Sequence, residues 1–279
     1  MKKLFFLLLL TLTSNAQENL TTGPENGALV IVGGGRIGEA ITKKFIELAG
    51  GSDAKIVVIP TAAGGEIDQN NVWFAKQLAA FGATNVTVLH TYDRKEAESD
   101  TFVKPLADAT AVWFGGGRQW RLVDAYAGTK TEKHIWDILN NGGVIGGSSA
   151  GATIQGSYLA RGDTQNNQIM MGDHEEGFGF IKNIAIDQHV LARNRQFDMF
   201  DILKNKPELL GIGIDESTAA VVTGDVFEVM GKSKVLIYDG SFWSREGSQL
   251  KTLPADENLF YFLQPGDKYH MKERKVITD

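Results

Sequence analysis

Short apolar runs rich in β-branched residues alternate along the chain with longer stretches whose apolar positions recur at helical spacing. The short runs predict buried strands, and the longer stretches predict amphipathic helices. The predicted strands cover residues 28–32, 55–60, 85–90, 111–114, 143–146 and 184–186, and the predicted helices between them include 38–49, 70–81 and 130–141. Strands and helices in alternation predict an α/β fold with a mostly parallel sheet and helices on both of its faces.

The pattern changes after about residue 208, where four apolar runs follow one another with only short connections. These runs cover residues 211–214, 219–223, 227–230 and 235–238. Turns such as Thr223-Gly224-Asp225 and Gly231-Lys232-Ser233 join antiparallel neighbours. We therefore expect antiparallel C-terminal strands that extend the same sheet, within a single α/β domain spanning residues 17–279.

The N-terminus has the pattern of a secretory signal peptide. Lys2 and Lys3 precede an apolar run over residues 4–12, and Ser14-Asn15-Ala16 supplies small residues for cleavage before Gln17. The run is shorter than the roughly 20 residues that a membrane-spanning helix needs. We expect residues 1–16 to be removed, leaving an exported protein, periplasmic or extracellular, without a membrane anchor.

Composition narrows the classes of partner and chemistry. The 279 residues carry a formal charge of −6, and loss of Lys2 and Lys3 makes it more negative by two. This acidic balance argues against nucleic acid and against anionic membrane surfaces as partners. The chain contains no cysteine, which excludes disulfides, a thiol nucleophile and thiolate metal sites.

The most informative motif lies in the stretch from Val144 to Ala152, where an apolar run meets a serine enclosed by small residues. Ser149 has Gly147 two residues before it and Gly151 two residues after it. A sharp turn from strand to helix with this spacing exposes the serine Oγ and is typical of a hydrolase nucleophile. The alternative is a glycine-rich loop that only turns the chain or binds a phosphate.

Two further glycine clusters follow predicted strands. Residues 33–38 match G-x-G-x-x-G, but a dinucleotide site also expects an acidic residue at the end of the second strand, where this chain has Pro60-Thr61-Ala62. A close-packed loop at the rim of the active site is therefore the favoured interpretation, and we expect no cofactor.

The other cluster offers the N–H groups of Gly116 and Gly117, which with the N–H of Ala150 would form an oxyanion hole. Its alternative is a structural turn.

One of the five histidines stands out as a general base. His189 lies at the end of a predicted strand among polar residues, and the carboxyl ends of strands are where open α/β sheets gather their functional groups. A hydrogen-bonded structural histidine is the alternative. His174 also follows Ser149, whereas His90, His134 and His270 have no comparable setting.

Together these motifs resemble the cyanophycinase and dipeptidase E family of serine peptidases. The resemblance covers residues 27–240 approximately, with matches in family order at 60–62, Phe114, Gly116, Gly117, Gln119, 149–152, 187–189, Arg193, Arg195 and 211–219. It implies a flavodoxin-like or class I glutamine-amidotransferase-like fold, a homodimer, and cleavage next to aspartyl residues. Asp187-Gln188-His189 and the arginines after it are closer to cyanophycinases, which hydrolyse the β-aspartyl-arginine polymer cyanophycin.

The resemblance also implies roles for individual residues. Ser149 would be the nucleophile and His189 the base, while the substrate-binding residues would be Gln119, Asp187, Gln188, Arg193 and Arg195. Two guanidinium groups, those of Arg193 and Arg195, suit a substrate carboxylate, although a surface ion pair is the alternative.

The resemblance further implies that the acid of the triad lies between the nucleophile and the histidine in the chain. Asp163 lies nearest to the family spacing of dipeptidase E, with Asp173, Glu175 and Glu176 as further candidates, and Asp163 is alternatively only a turn residue. Asp215 and Glu216 end a predicted strand. They lack a third ligand for a metal, so we expect no metal there and interpret them as structural support for the floor of the active site.

Two positions depart from the cyanophycinase pattern. Arg118 precedes Gln119 where those proteins typically have an aspartate, and Asp198 stands where a third arginine is expected. Because these charges differ from those of cyanophycinases, the substrate is either cyanophycin or another aspartyl peptide, such as an aspartyl dipeptide. The competing functional classes are a non-catalytic secreted binding protein on the same fold, an oxidoreductase, and a glutaminase, which usually carries cysteine at the equivalent turn.

Overall fold

The computed structural model of the protein describes residues 20–239 and 260–278. Its strands form two sheets. In chain order the strands are β1 (Ala28–Val32), β2 (Lys55–Ile59), β3 (Asn85–Val88), β4 (Ala111–Phe114), β5 (Val144–Ser148), β6 (Gly156–Tyr158), β7 (Ile181–Gln188), β8 (Leu210–Ile214), β9 (Thr218–Thr223), β10 (Val226–Gly231), β11 (Val235–Asp239), β12 (Phe260–Leu263), β13 (Lys268–His270) and β14 (Lys275–Ile277).

The larger sheet has nine strands in the order β14-β13-β10-β9-β1-β5-β4-β2-β3. Strands β1, β5, β4, β2 and β3 are parallel to one another, and β9, β10, β13 and β14 continue the sheet antiparallel from β1. The smaller sheet has the order β12-β11-β8-β7-β6. In it β6, β7 and β8 are parallel, and β11 and β12 are antiparallel.

The helices are α1 (Glu39–Leu48), α2 (Trp73–Ala80), α3 (Arg94–Ala97), α4 (Asp100–Val103), α5 (Trp120–Tyr126), α6 (Lys130–Asn140), α7 (Ala150–Thr153) and α8 (Met199–Asn205). Helix α6 shows how the sequence pattern directs packing. Its buried residues Thr131, Ile135, Ile138 and Leu139 recur at helical spacing on one face. The helix ends before Gly142, which adopts a left-handed φ of 91°.

The two faces of the larger sheet bury different partners. On β1, Val30 packs with Phe45 of α1 and Phe74 of α2, whereas its neighbour Ile31 belongs to the core on the opposite face. That second core contains residues of α5 and α6 together with β7 and β8 of the smaller sheet. Alternation along a strand thus divides the apolar residues between two layers.

The register of the parallel strands gathers their carboxyl ends at one edge. Val32 of β1 pairs with Ser148 of β5, and Phe114 of β4 pairs with Gly147 of β5. In the smaller sheet Gln188 of β7 pairs with Ile214 of β8. The loops that follow these strands are the ones in which the sequence analysis found candidate functional residues.

The predicted fold class is confirmed, with one correction to its topology. A mostly parallel sheet with helices on both faces and antiparallel C-terminal strands is present. However, 184–186, 211–214 and 235–238 were expected in the same sheet and instead lie in the smaller one. The pattern of apolar residues reports that a strand is buried, but the choice of its partner depends on tertiary packing.

The predicted signal peptide, residues 1–16, lies outside the described residues. Within the part of the chain that the structure describes, no helix is long and apolar enough to span a membrane.

Candidate active site

Ser149 occupies a sharp, strained turn between β5 and α7. Its φ is 57° and its ψ is −113°, and its N–H donates to the Val32 carbonyl at 3.0 Å. A Cβ at Gly147 would lie 2.1 Å from the Gly151 carbonyl oxygen, and one at Gly151 would lie 2.2 Å from the Phe114 carbonyl oxygen. The small residues on either side of Ser149 are therefore required by the close approach of the backbone.

His189 lies directly beside Ser149. It follows β7 with a left-handed φ of 55°, and its N–H donates to the Gly33 carbonyl at 2.9 Å. Its Nε2 is 2.9 Å from Ser149 Oγ, and its Nδ1 is 2.6 Å from Glu216 Oε1. Because an ionised carboxylate only accepts, Nδ1–H donates to Glu216 and Nε2 is free to accept the Ser149 hydroxyl proton.

The surroundings of His189 favour its neutral form. Burial lowers the pKa of the imidazole below its ordinary value, and the positive charges of Arg193 and Arg195 act in the same direction. The hydrogen bond and negative charge of Glu216 raise the pKa but do not reverse the effect. A neutral imidazole that accepts from a serine hydroxyl is in the state required of a general base.

Glu216, rather than Asp163, is the acidic residue whose carboxylate contacts the imidazole of His189. It lies on the turn between β8 and β9, where the chain crosses from the smaller sheet to the larger one. The backbone of this turn is bonded to the glycine loop after β1, since Ser217 N–H donates to the Gly34 carbonyl and Gly33 N–H to the Thr218 carbonyl.

The assignment of Asp163 is corrected by its own contacts. Its carboxylate accepts from the N–H groups of Gln165 and Asn166, at 2.8 and 3.1 Å, which makes it the turn residue of the alternative interpretation. Two of the other candidates have other partners: Asp173 accepts from Thr164, and Glu175 contacts Tyr158 and Lys206. Glu176 pairs through its backbone with Tyr158 in an isolated β-bridge.

Asp215 and Glu216, which the sequence analysis treated together, differ in their contacts. Asp215 Oδ1 accepts from the N–H groups of Leu191 and Ala192, and its Oδ2 accepts from the Ser233 hydroxyl. Asp215 thus supports the loop after His189, as expected, while Glu216 contacts His189 itself. The available signal for Glu216 was its place at the carboxyl end of a predicted strand.

The glycine loop after β1 supports the His189 and Glu216 side chains. A Cβ at Gly34 would lie 2.1 Å from Cε1 of His189, and one at Gly35 would lie 2.7 Å from Oε2 of Glu216. Both glycines have positive φ, 119° and 65°. The loop therefore packs closely against both side chains, at the rim of the candidate site.

The second glycine cluster lies against Ser149. A Cβ at Gly116 would be 3.9 Å from Ser149 Oγ, and Gly117, with φ of 143°, packs against the Ala62 carbonyl. Arg118 N–H fixes the end of this loop by donating to the Ala62 carbonyl at 2.8 Å. The N–H groups of Gly116, Gly117 and Ala150 donate to no acceptor among the described residues. The oxyanion hole expected from these three residues stays a prediction.

Comparison with known proteins identifies the family of this chain. The model of peptidase family S51 matches residues 28–230, a segment that contains Ser149, His189 and Glu216. The chain belongs to peptidase family S51. It is a serine-type peptidase, and this S51 peptidase is similar to proteins described as cyanophycinases.

Two of these relatives and two solved structures illustrate the similarity. A cyanophycinase of Geminocystis herdmanii is 34% identical over 264 residues, covering 90% of this chain and 96% of the relative. A cyanophycinase of Nostoc sp. is 29% identical over 287 residues, covering 95% and 93%. The crystal structure of a peptidase from an acI-B1 Actinobacterium aligns with a TM-score of 0.65 at 28% identity, covering 91% of this chain and 99% of that one. A peptidase E protein from Listeria monocytogenes EGD-e, at 18% identity and a TM-score of 0.52, covers 74% and 99% and shows the fold alone.

Most of the residues expected to bind substrate are engaged within the S51 peptidase itself. Gln119 donates to the Ala160 carbonyl, Asp187 accepts from Arg161, and Arg195 donates to the backbone and side chain of Gln188. All four predicted residues, Gln119, Asp187, Gln188 and Arg195, are buried. These hydrogen bonds hold the four side chains within the protein, and their predicted contact with substrate stays a prediction.

Arg193 differs from these four residues. Its backbone N–H donates to the His189 carbonyl at 3.0 Å. Its side chain is exposed and lies close enough to His189 to lower the pKa of the imidazole, and its guanidinium has no hydrogen-bond or ion-pair partner among the described residues. An unpaired guanidinium beside the base is suited to bind a carboxylate.

Arg118 and Asp198, the two residues that depart from the cyanophycinase pattern, both form hydrogen bonds with the segment that follows β6. Arg118 donates to the carbonyl of Asp163, and Asp198 accepts from Arg161.

Within residues 20–239 and 260–278, no group of three or more His, Asp or Glu side chains is arranged to hold a metal ion.

Proposed function

We propose that this peptidase is a cyanophycinase-like enzyme that hydrolyses β-aspartyl-arginine or related aspartyl peptide bonds through a Ser149–His189–Glu216 triad and an acyl-enzyme. The observation that carries the triad is the continuous line of hydrogen bonds from Ser149 Oγ through the imidazole to the Glu216 carboxylate. The similarity to cyanophycinases along nearly the whole chain supports the substrate class.

The geometry supports a two-step acyl transfer. Ser149 Oγ attacks the carbonyl carbon of the substrate while His189 Nε2 takes the hydroxyl proton, and Glu216 stabilises the imidazolium that forms. The N–H groups of Gly116 and Ala150 donate to the oxyanion of the tetrahedral intermediate. His189 then gives its proton to the leaving amine, and a water that it deprotonates hydrolyses the acyl-enzyme.

Dipeptide release tests the proposed substrate class. Mature wild-type protein is incubated with cyanophycin, with a β-aspartyl-arginine oligomer and with a set of α-aspartyl dipeptides, and the products are identified by mass spectrometry. Ser149→Ala serves as the blank for contaminating hydrolases. Release from cyanophycin supports the proposal, whereas hydrolysis of only the α-aspartyl dipeptides would replace it with an aspartyl dipeptidase. Hydrolysis of none of them would contradict an aspartyl substrate class.

Export and dimerisation are also part of the proposal. We expect residues 1–16 to be removed, so that the mature protein begins at Gln17 and lies outside the cytoplasm. N-terminal sequencing of the exported protein tests this expectation. Light scattering on purified mature protein tests the homodimer, and a monomer mass at micromolar concentration would contradict it.

The rate of acylation should stay high under mildly acidic conditions. Because the pKa of His189 is lowered, the imidazole remains neutral below the ordinary histidine value of about 6.5 and becomes protonated only at lower pH. We expect the rate of inactivation by a fluorophosphonate to fall through a midpoint below that value as the pH decreases. A midpoint at or above the ordinary value would contradict the expected neutral base.

Arg193→Ala should change both substrate binding and pH dependence. Loss of its unpaired guanidinium should raise KM about tenfold to a hundredfold, in line with loss of one charge-assisted hydrogen bond of about 1.5–3 kcal/mol. The same change removes a charge that lowers the pKa of His189, so the acidic midpoint of acylation should move to higher pH. Arg36→Ala removes an exposed arginine from the neighbouring glycine loop and is the control. An unchanged KM and midpoint for Arg193→Ala would refute this role.

A further inference from the structure

A completely buried arginine lies beside the active site, and it is not part of the triad, the oxyanion hole or the predicted substrate-binding residues. Arg161 follows β6, adopts a left-handed φ of 58°, and has no exposed surface. Its Nε and Nη2 donate to the two carboxylate oxygens of Asp187 at 2.7 and 2.9 Å. Its Nη2 also donates to Asp198 at 2.6 Å, and its Nη1 donates to the Asn167 carbonyl at 2.9 Å.

The pairing of Arg161 with Asp187 has a fixed geometry. A buried guanidinium is tolerated only when its donors are satisfied, and here every nitrogen of Arg161 has an acceptor. Two parallel hydrogen bonds to one carboxylate hold that carboxylate in a single orientation, which a lysine at the same position could not do. Asp187 is itself buried, so its orientation is determined by Arg161.

Asp187 transmits this orientation to the backbone before the catalytic base. Its Oδ1 accepts from the N–H of Gln188 at 2.8 Å. Arg195 holds the other side of Gln188 by donating to both its carbonyl and its side-chain oxygen. The next residue is His189, whose left-handed φ is unfavourable for a residue with a side chain and persists only where neighbouring contacts fix it.

We propose that Arg161 is a positioning residue for His189, acting through Asp187 and the backbone of Gln188, with Asp198 as the second anion that holds the guanidinium in place. The inference rests on the proposed function of His189 as the base. It also accounts for Asp198, which stands where cyanophycinases were expected to carry an arginine. In this chain Arg161 provides the cation, and Asp198 pairs with it.

The experiment measures two quantities for each variant: the proton NMR signal of the hydrogen bond between His189 and Glu216, and the rate at which Ser149 is acylated. A proton shared by an imidazole Nδ1 and a carboxylate at short distance gives a strongly downfield proton NMR signal, assigned here through its loss in His189→Gln. The acylation rate is measured with a fluorophosphonate at several pH values. Wild type is compared with Arg161→Lys, with Asp198→Asn, and with Arg274→Lys, which alters an arginine paired with Asp239 away from the site. Thermal midpoints are recorded for each.

Arg161→Lys should lose or shift the downfield signal and slow acylation about tenfold to a hundredfold, since a displacement of about 1 Å at a reacting group costs about a hundredfold in rate. Asp198→Asn, which keeps the bidentate pair, should have a smaller effect in the same direction. Arg274→Lys should leave the signal and the rate within twofold even where its thermal midpoint falls.

Two results would overturn the inference. One is an unchanged signal and rate in folded Arg161→Lys or, if that variant does not fold, in Asp198→Asn. The other is an equal loss in Arg274→Lys at a matched thermal midpoint. Wild-type protein that does not react with the fluorophosphonate would contradict the proposed function instead, and the NMR comparison, which needs no chemistry, would still decide whether Arg161 positions His189.

Discussion

Glu216→Gln should lower kcat/KM for an aspartyl peptide by about four orders of magnitude while leaving the fold intact, by analogy with amide replacement of a triad carboxylate. The carboxylate of Glu216 accepts the Nδ1 proton of His189 at 2.6 Å and thereby leaves Nε2 free to accept from Ser149. A glutamine can present its NH₂ group to Nδ1, which would favour the tautomer with the proton on Nε2. That tautomer cannot take the hydroxyl proton of Ser149.

Asp163→Asn is the matched control for Glu216→Gln. It removes the charge from the acid that chain order favoured, but an asparagine can still accept from the N–H groups of Gln165 and Asn166. We expect kcat/KM within about threefold of wild type, because asparagine has the same shape as aspartate and keeps both contacts of this buried side chain. Initial rates and thermal midpoints of both variants decide the matter. A larger loss for Asp163→Asn than for Glu216→Gln would reverse the assignment.

Gly34→Ala should reduce kcat/KM at least a hundredfold, because it forces the imidazole of His189 out of position. The added Cβ would lie 2.1 Å from Cε1 and 2.5 Å from Nε2 of His189, well inside van der Waals contact. The left-handed φ of 119° also disfavours any side chain. Displacing a reacting group by about 1 Å costs about a hundredfold in rate. Protein that folds but acylates slowly is the expected outcome.

Gly38→Ala provides the control within the same glycine-rich loop. A Cβ at Gly38 meets nothing within 4 Å, and its φ of −71° is open to any residue. This variant should retain wild-type acylation, with a small loss of thermal stability because Gly38 is the N-cap of α1 and alanine is less favourable there. Measurement of fluorophosphonate labelling in both variants separates displacement of the base from a general effect of altering the loop. Equal labelling rates for Gly34→Ala and wild type would contradict the proposed support of His189.

The sequence was most informative where local geometry limits the residue type. The turn at Ser149 needs Gly147 and Gly151 because the backbone passes within contact distance of itself, and that requirement is visible as a motif. His189 was identified because the carboxyl ends of strands gather functional groups at one edge. These two side chains are hydrogen bonded in the structure.

Glu216 was missed for a reason that concerns tertiary structure. The acid was expected between Ser149 and His189 in chain order, and Glu216, which follows His189 in the chain, was interpreted as structural support. In the structure β8 lies parallel to β7, with Ile214 beside Gln188, so the residues after the two strands emerge together. Which strands become neighbours depends on packing between distant segments, and the apolar pattern of a single strand does not contain that information.

The site is assembled from both sheets of the molecule. Ser149 follows a strand of the nine-stranded sheet, whereas His189 and Glu216 follow strands of the five-stranded one. A chain in which only one sheet has formed has a nucleophile without a base, or a base without a nucleophile. The arrangement of Ser149, His189 and Glu216 therefore exists only where the two sheets are packed together, so a partly folded chain that has formed only one sheet lacks it.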